Sequence, residues 1–420
     1  MPLSLKRLVL PADSTPDAGL LLAARGLRGF VDGMVSVLLA SYLTDLGFSP
    51  TEIGVLITGT LLGSAALTLG VGLYGGWVSP RRILLFGCLL MLATGLGFAG
   101  LTSFWPLLLI AIAGTLNPSN GDVSLFLPTE QALLTRTVGA TGRTALFARY
   151  NLSGTFCGAF GALVSGLPVL LAEREGWDLV DAQRSGFVLY ACVAVLVAVL
   201  YSRLSPSVEP ESRRRSAPLA QSRKLVLRLA ALFSMDSFGG GFVVQALLAL
   251  WLFQRFGMSV ATAGAIFFAA SLLAAFSQLV SAWLAQRIGL IRTMVYSHFP
   301  SNVFLILAAF MPNAPLAVAF ILLRTSLSQM DVPARQSYVM AMVPPEERAS
   351  AASVTNVPRS LAAAFAPALG GFLLSQTTFG WPLVIGGSVK LLYDVLLLAQ
   401  FRNQRPEEEL SMARPASVPS

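Results

Sequence analysis

The stretch LNPSNGDVSLFLPTEQALL, residues 116–134, puts polar and helix-breaking residues inside an otherwise apolar region. Asn117 and Asp122 fall where a continuous membrane-spanning helix would meet hydrocarbon, and unpaired polar groups are costly there. Pro118 and Gly121 weaken the helical hydrogen-bond ladder. Such an interruption is tolerated only where the backbone is buried in protein or lines a water-filled cavity. The stretch therefore predicts a helix that faces a cavity.

A second copy of this region occurs later in the chain. With an offset of 205 residues, 128–166 corresponds to 333–371 without a gap, and with an offset of 210, 46–54 corresponds to 256–264. Two matching halves of the same orientation predict a parallel repeat, related by an axis along the membrane normal.

The composition places the chain in a membrane. Of its 420 residues, 55% are apolar and 12% are charged, and the mean hydropathy is +0.70. This is too apolar for one water-soluble core. Apolar runs of about 20 residues, the length that a helix needs to cross a bilayer, recur along the chain. We predict an all-α integral membrane protein with twelve spans, numbered 1–12: 20–43, 51–75, 83–101, 105–135, 143–170, 185–203, 225–254, 259–285, 291–311, 314–341, 348–375 and 381–401.

The longest stretch outside these spans, SRLSPSVEPESRRRSAPLAQSRK, lies at the middle of the chain and is typical of a linker. The predicted organisation is an N-terminal six-helix half at 1–203, a cytoplasmic linker at 204–223, a C-terminal six-helix half at 224–402 and a disordered cytoplasmic tail at 403–420.

Lysine and arginine concentrate in alternate loops, which sets the orientation. These loops include the pair Arg81 and Arg82, the run Arg213, Arg214 and Arg215, and the pair Arg287 and Arg292. Both termini are therefore expected in the cytoplasm. We expect a multi-pass protein of the cell (inner) membrane, and we expect it to be a monomer. Topology alone explains the net charge of +8, so the lipid bilayer is an expected partner and nucleic acid is not.

The loop between spans 8 and 9, SAWLAQRIGLIRT, carries the best family signature. It is similar to the motif that follows the second helix of major facilitator superfamily transporters, with a small residue, an arginine, a glycine and a further basic residue at Ala282, Arg287, Gly289 and Arg292. The copy between spans 2 and 3 keeps Gly72 and Arg82, but has Gly76 and Trp77 where the family usually has an acid and an arginine. Arginines in these loops can also bond the last carbonyls of neighbouring helices.

The chain resembles this superfamily over essentially all of its length, and 331–373 is similar to its efflux members. The resemblance implies a major facilitator fold: two six-helix repeats around a central cavity lined by spans 1, 4, 7 and 10. It also implies a secondary transporter that moves a small-molecule substrate by alternating access.

Polar residues on spans 4 and 10 are the first candidates for this cavity. Ser119, Asp122 and Thr129 share one helix face at spacings of three and seven residues. A second stripe consists of Arg324, Ser328, Asp331 and Arg335, at i, i+4, i+7 and i+11. Because Ser119 corresponds to Arg324 in the repeat, we expect Asp122 and Arg324 to face one another. Asn117 is assigned to the same binding region.

Spans 1 and 7 add further candidates. Asp32 lies near mid-membrane, one turn after Arg28, and Asp236 precedes FGGGF, whose three glycines favour local unwinding. Desolvated acids suit a proton carrier, and Asp122 and Asp32 are the leading choices. The alternative is that each acid is neutralised by an arginine and only holds the bundle together.

Other charges are assigned structural or gating roles. We expect Asp331 to pair with Arg335, and Glu130 with Arg149 or Arg143. Arg28, Arg82, Arg287 and Arg292 complete this group. Arg359 and Gln245 are possible substrate contacts.

No motif for catalysis, nucleotide binding or a cofactor is present, and His298 has no metal-ligand spacing, so we predict neither an enzyme nor a metal site. The first hypothesis is proton-coupled efflux of an amphipathic compound by antiport. A sugar or organic-acid carrier, with Arg324 clamping the substrate, is the alternative. Two other classes remain open: a multi-pass membrane enzyme and a non-transporting sensor on the same fold.

Overall fold

Helices make up almost all of the described chain in the computed structural model. The structure describes residues 14–74, 78–119, 125–139, 143–206 and 220–404. These contain sixteen α-helices, a 3-10 turn at Pro345–Glu347 and no strand. The helices are α1 (Pro16–Asp45), α2 (Pro50–Tyr74), α3 (Pro80–Gly100), α4 (Phe104–Ala113), α5 (Phe126–Leu134), α6 (Arg143–Val164), α7 (Leu167–Glu175), α8 (Leu179–Ser202), α9 (Arg223–Gly241), α10 (Gln245–Phe256), α11 (Val260–Ile288), α12 (Leu290–Phe310), α13 (Ala314–Ser328), α14 (Asp331–Met342), α15 (Arg348–Gln376) and α16 (Trp381–Phe401). The predicted all-α fold is confirmed.

Ten helical segments of the described chain are long and apolar enough to cross a membrane. They correspond to all the predicted spans except 4 and 10. Each of these two is divided into a pair of shorter helices, α4 with α5 and α13 with α14. The count of twelve spans stays a prediction, because neither divided span contains one helix of spanning length.

The break in span 4 has a local cause. The Asn117 Oδ1 accepts hydrogen bonds from the Ser119 backbone N–H (3.2 Å) and hydroxyl (2.8 Å), which stabilises a turn in place of the helix. Ser119 and Thr129 therefore do not lie on one continuous helix, and the predicted polar stripe is wrong. Asp122 lies outside the described residues.

The stripe predicted on span 10 falls on two helices. α13 ends at Ser328 and α14 begins at Asp331, while Gln329 and Met330 between them keep right-handed helical backbone angles, so the single stripe stays a prediction. Proline at position 333 fits this break, because proline is favoured in the first turn of a helix. In span 7, α9 ends at Gly241, the last of the three glycines that predicted local unwinding.

Packing divides the chain into two compact units. Unit 1 is drawn from Met1–Arg213, Val244–Ser271 and Pro367–Thr378. Within it α1 packs closely on α6, and a Cβ atom on Gly33 would overlap the Gly158 carbonyl oxygen. Only glycine allows this approach of two backbones.

Unit 2 is drawn from Arg214–Val243, Leu272–Ala366 and Phe379–Ser420. Its apolar core includes Phe233, Tyr338 and Phe401. Gly241 packs on the Ala363 carbonyl as Gly33 packs on that of Gly158 in unit 1. Position 363 lies 205 residues after 158, an offset found in the sequence, and Gly241 lies 208 residues after Gly33, between the two offsets, so both units contain a similar close contact.

Candidate functional site

Each unit buries a cluster of charged side chains. In unit 1 the Glu130 cluster consists of Arg28, Phe126, Glu130, Tyr150 and Tyr201. The Glu130 side chain is fully buried on α5 and forms an ion pair with Arg28 of α1. Its carboxylate also accepts hydrogen bonds from the hydroxyls of Tyr150 (2.5 Å) and Tyr201 (2.6 Å). The Arg28 guanidinium lies 4.2 Å from the centre of the Phe126 ring. Charged, polar and aromatic contacts thus surround both ions of the pair.

The predicted pairing of Glu130 with Arg149 is wrong, whereas the Arg143 side chain lies outside what the structure describes, so that alternative stays a prediction. The prediction considered cations close in sequence, whereas Arg28 lies 102 residues away. Arg149 forms no ion pair within the described chain, and its buried Nη1 has no hydrogen-bond partner there.

In unit 2 the Asp236 cluster consists of Asp236, His298, Asn302, Asp331, Arg335, Lys390 and Asp394. Asp236, on α9, lies 2.6 Å from the Lys390 Nζ and 3.1 Å from the Arg335 Nη1. Arg335 also pairs with Asp331 at 3.2 Å, the contact expected from their spacing of four residues. A buried carboxylate here holds two cations from two other helices.

The same cluster extends to a histidine. The His298 Nδ1, on α12, lies 2.8 Å from the Asp394 Oδ1 on α16, and its Nε2 lies 3.6 Å from the Asp236 Oδ1. The Asn302 amide donates to the other Asp394 oxygen at 3.0 Å. All of these side chains are buried.

Two half-buried guanidinium groups of unit 2 have no carboxylate partner in the described chain. Arg324, half-buried on α13, forms no ion pair there, and its buried Nε has no hydrogen-bond partner. The Arg359 Nε donates to the Ser237 hydroxyl at 3.0 Å, and its Nη1 donates to the Asn356 side chain at 3.2 Å.

The remaining predicted binding residues are more scattered. Asp32 is buried on α1, and Asn117 is buried before the break that follows it. Gln245 begins α10, and its buried Nε2 has no hydrogen-bond partner in the described chain. The same holds for the hydroxyl of Ser328, at the end of α13. Because Asp122 lies outside the described residues, its expected approach to Arg324 stays a prediction.

The loop motif between α11 and α12 has a clear backbone requirement. Gly289 has a φ of +87°, in the left-handed region that favours glycine. The Arg287 guanidinium lies 4.3 Å from the centre of the Trp283 ring. Arg292 and Arg82 are exposed. Arg81 donates to the carbonyl of Ser202, the last residue of α8, which confirms that an arginine in such a loop bonds a helix end.

Unit 1 also contains an apolar recess of about 690 Å³. Gly63, Leu67 and Val71 of α2 and Phe86 of α3 contribute to its walls, and Arg82 is the charged residue among those that line it. No member of the Glu130 cluster is among the residues that line this recess, although Leu125, which precedes Phe126, is one of them.

Sequence reasoning missed several members of the two clusters, namely Tyr150, Tyr201, His298, Asn302, Lys390 and Asp394. One signal was present, because Lys390 and Asp394 are two charges one turn apart in an apolar span. Within the described residues, no group of three or more histidine, cysteine, aspartate or glutamate residues is arranged to hold a metal ion.

Comparison with known proteins gives a consistent result. The family model of the Major Facilitator Superfamily matches residues 21–323 and 229–419. The chain is 27% identical to Uncharacterized membrane protein YJR124C of Saccharomyces cerevisiae, over 92% of this chain and 94% of that protein.

Solved structures of transporters share the fold. A bacterial homolog of the human lysosomal transporter Spinster has a TM-score of 0.72 at 14% identity, over 95% of this chain and 98% of that one. A D-xylose-proton symporter has a TM-score of 0.71 at 15% identity, over 90% of this chain and 96% of that one.

Proposed function

This chain belongs to the major facilitator superfamily, and we propose that it is a secondary active transporter that moves a small organic acid by alternating access, coupled to protons. The observation that carries the substrate class is the pair of guanidinium groups, Arg324 and Arg359, that have no carboxylate partner in the described chain.

A buried cation without a counter-ion is costly, so proteins retain one where a ligand supplies the opposite charge. Guanidinium groups match the planar, two-oxygen geometry of a carboxylate. The Asp236 carboxylate acts on both arginines, and Arg335 and Asp331 act on Arg359 as well. Two other cations already hold Asp236. An acidic group on the substrate would supply the carboxylate partner that Arg324 does not find among the described residues.

The sequence favoured an amphipathic substrate, and this stays a second candidate. The recess in unit 1, with its apolar walls and the single charge of Arg82, supports it, since such a surface suits a compound that enters from the bilayer. The similarity of 331–373 to efflux members favours export from the cell. The proposed orientation places both termini in the cytoplasm.

Proton coupling rests on buried acids. Asp32 and Asp236 are both buried within membrane-spanning helices, where ionisable groups are rare and commonly serve ion pathways. Together with Asp122 they are the proposed carboxylates that exchange protons during the transport cycle.

Transport into proteoliposomes tests the substrate class. The probes are octanoate as an amphipathic carboxylate, xylose as a sugar and ethidium as a cationic dye, each with and without a pH gradient. We expect gradient-driven transport of octanoate. Arg324→Gln should weaken octanoate binding by about 10- to 100-fold, because a hydrogen bond to a charged group contributes about 1.5–3 kcal/mol.

Arg324→Lys should retain part of the affinity, since it keeps the charge and loses the two-point geometry. The exposed Arg292→Gln serves as the matched control. Transport of xylose or ethidium without transport of octanoate would overturn the organic-acid proposal, as would unchanged octanoate affinity in Arg324→Gln.

A further inference from the structure

His298 lies between two carboxylates in unit 2. Its Nδ1 is 2.8 Å from the Asp394 Oδ1, and its Nε2 is 3.6 Å from the Asp236 Oδ1. The Lys390 Nζ lies 3.5 Å from the same Nε2 and 2.6 Å from Asp236. An imidazole therefore connects an acid on α16 with an acid on α9.

The other helices packed on α12 bring further charged groups to this region. Arg335 and Asp331 of α14 hold the far side of Asp236, and Arg324 of α13 makes no hydrogen bond to the imidazole. On α16 the Tyr393 ring meets the imidazole edge to face, with ring centres 5.9 Å apart. On α12 itself Asn302 donates to the second oxygen of Asp394, which fixes that carboxylate.

This arrangement satisfies the imidazole in both of its protonation states. A neutral ring donates from Nδ1 to Asp394, and its Nε2 lone pair accepts from the Lys390 ammonium. A protonated ring keeps the bond to Asp394, and its Nε2 forms an ion pair with the Asp236 Oδ1 at 3.6 Å. The site thus offers the neutral ring a donor at Nε2 and the charged ring a second carboxylate.

We propose that His298 is a proton-binding site of this transporter, and this rests on the proposed proton coupling. A proton from the aqueous phase adds to the Nε2 lone pair and forms an imidazolium ion. The new charge repels the Lys390 ammonium 3.5 Å away and competes with it for Asp236. Proton binding on α12 is thereby linked to the ion pair between α9 and α16.

The coupling explains why a lysine holds Asp236 at this point. A flexible ammonium can move away from the carboxylate when the imidazolium forms, whereas the planar guanidinium of Arg335 remains with Asp331 and Asp236. One side of Asp236 stays fixed and the other side responds to the proton.

The sequence offers a direct test, because His298 is the only histidine. The full-length protein, labelled with ¹⁵N and ¹³C in histidine only, gives one imidazole spectrum in lipid nanodiscs. The spectrum is recorded from pH 5 to pH 9, and we expect the imidazolium form to give way to the neutral form as the pH rises. Asp394→Asn should shift the midpoint by about one pH unit or more, because the ring loses one charged partner.

Tyr393→Phe is the matched control, since the Tyr393 hydroxyl has no hydrogen-bond partner in the described chain and the ring contact is kept. Its midpoint should match that of the unmodified protein. A single protonation state across this whole pH range would overturn the proposal, as would a midpoint that Asp394→Asn leaves unchanged.

Transport separates this inference from the proposed function. If octanoate transport responds to a pH gradient and His298→Gln retains the full response, the proton site is wrong and proton-coupled transport stands. If the unmodified protein shows no gradient response while its imidazole titrates, proton coupling fails as the proposed function and the binding site remains. Should His298→Gln fail to fold, the spectrum of Asp394→Asn decides the question.

Discussion

The two units bury an ion pair at equivalent points of the duplicated chain, but with the charges exchanged. Glu130 on α5 and Arg335 on α14 are 205 residues apart, the offset of the repeat. Their partners, Arg28 and Asp236, lie on α1 and α9, the first described helix of each half. The N-terminal pair therefore has its cation on the first helix, and the C-terminal pair has its anion there.

The groups around the two pairs differ in chemistry. Arginine and two tyrosine hydroxyls surround Glu130, and these groups keep their protons in the neutral pH range. Lysine and histidine surround Asp236 together with Arg335, and both can exchange a proton when their surroundings change. We therefore propose that the same position is a fixed contact in unit 1 and an ion-handling contact in unit 2.

Glu130→Gln should give the largest loss of stability. It removes the carboxylate shared by Arg28 and two tyrosines in a fully buried position, and breaking such a pair costs about 3–5 kcal/mol. The free energy of unfolding in mixed micelles, followed by tryptophan fluorescence, measures this loss.

The exposed Glu173→Gln on α7 is the control for Glu130→Gln and should change stability by less than about 0.5 kcal/mol. The double change Arg28→Met with Glu130→Leu should recover part of the lost stability, since apolar packing can replace a buried pair. Equal stability of Glu130→Gln and the unmodified protein would remove the fixed role of the cluster.

Asp236→Asn should have a smaller effect on stability, about 1–3 kcal/mol. Arg335 keeps Asp331 at 3.2 Å, and the flexible Lys390 side chain can move away from the new amide. Gradient-driven transport should be lost instead. Measuring unfolding and octanoate transport on the same preparation separates the two effects, with Glu346→Gln, exposed, as the control.

The contrast would fail if Asp236→Asn destabilised the protein more than Glu130→Gln while transport continued. In that case unit 2 would contain the structural contact, and the assignment of the two roles would be reversed.

The sequence predicted the features that depend on neighbours along the chain. The end of α9 at Gly241 follows from three glycines, and the contact of Asp331 with Arg335 follows from a spacing of four residues. The polar residues of span 4 also indicated an interruption, although its effect on the polar stripe was missed.

Contacts between distant segments could not be predicted in this way. Glu130 meets Arg28 across 102 residues, and Lys390 meets Asp236 across 154. The apolar periodicity of a span does not specify which face meets which neighbour, so tertiary packing decides these pairs. His298 has no acid or cysteine at metal-ligand spacing, and a histidine that contacts acids on two other helices leaves no pattern in its own stretch of sequence.

The ends of the central linker offer the most subtle contrast between the units. In unit 1 the Asp17 carboxylate accepts from the Ser205 backbone N–H (3.0 Å) and hydroxyl (2.6 Å). In unit 2 the Glu347 carboxylate accepts from the Ser222 hydroxyl and from three successive backbone N–H groups, those of residues 220–222. The Ser222 hydroxyl first, and then these N–H groups, lower the pKa of Glu347 to about 2 against the opposing effect of burial.

Because this pKa lies below the ordinary value of 4.5, the folded state binds fewer protons than the unfolded state between the two values. The contribution of Glu347 to stability is complete above pH 4.5 and is lost as the pH falls toward 2. Glu347→Gln should therefore lower the thermal unfolding midpoint at pH 7 by on the order of 2 °C. The gap from the unmodified protein should narrow steadily from pH 5 to pH 3, whereas a gap of constant size would mean that the carboxylate charge does not hold this end of the linker.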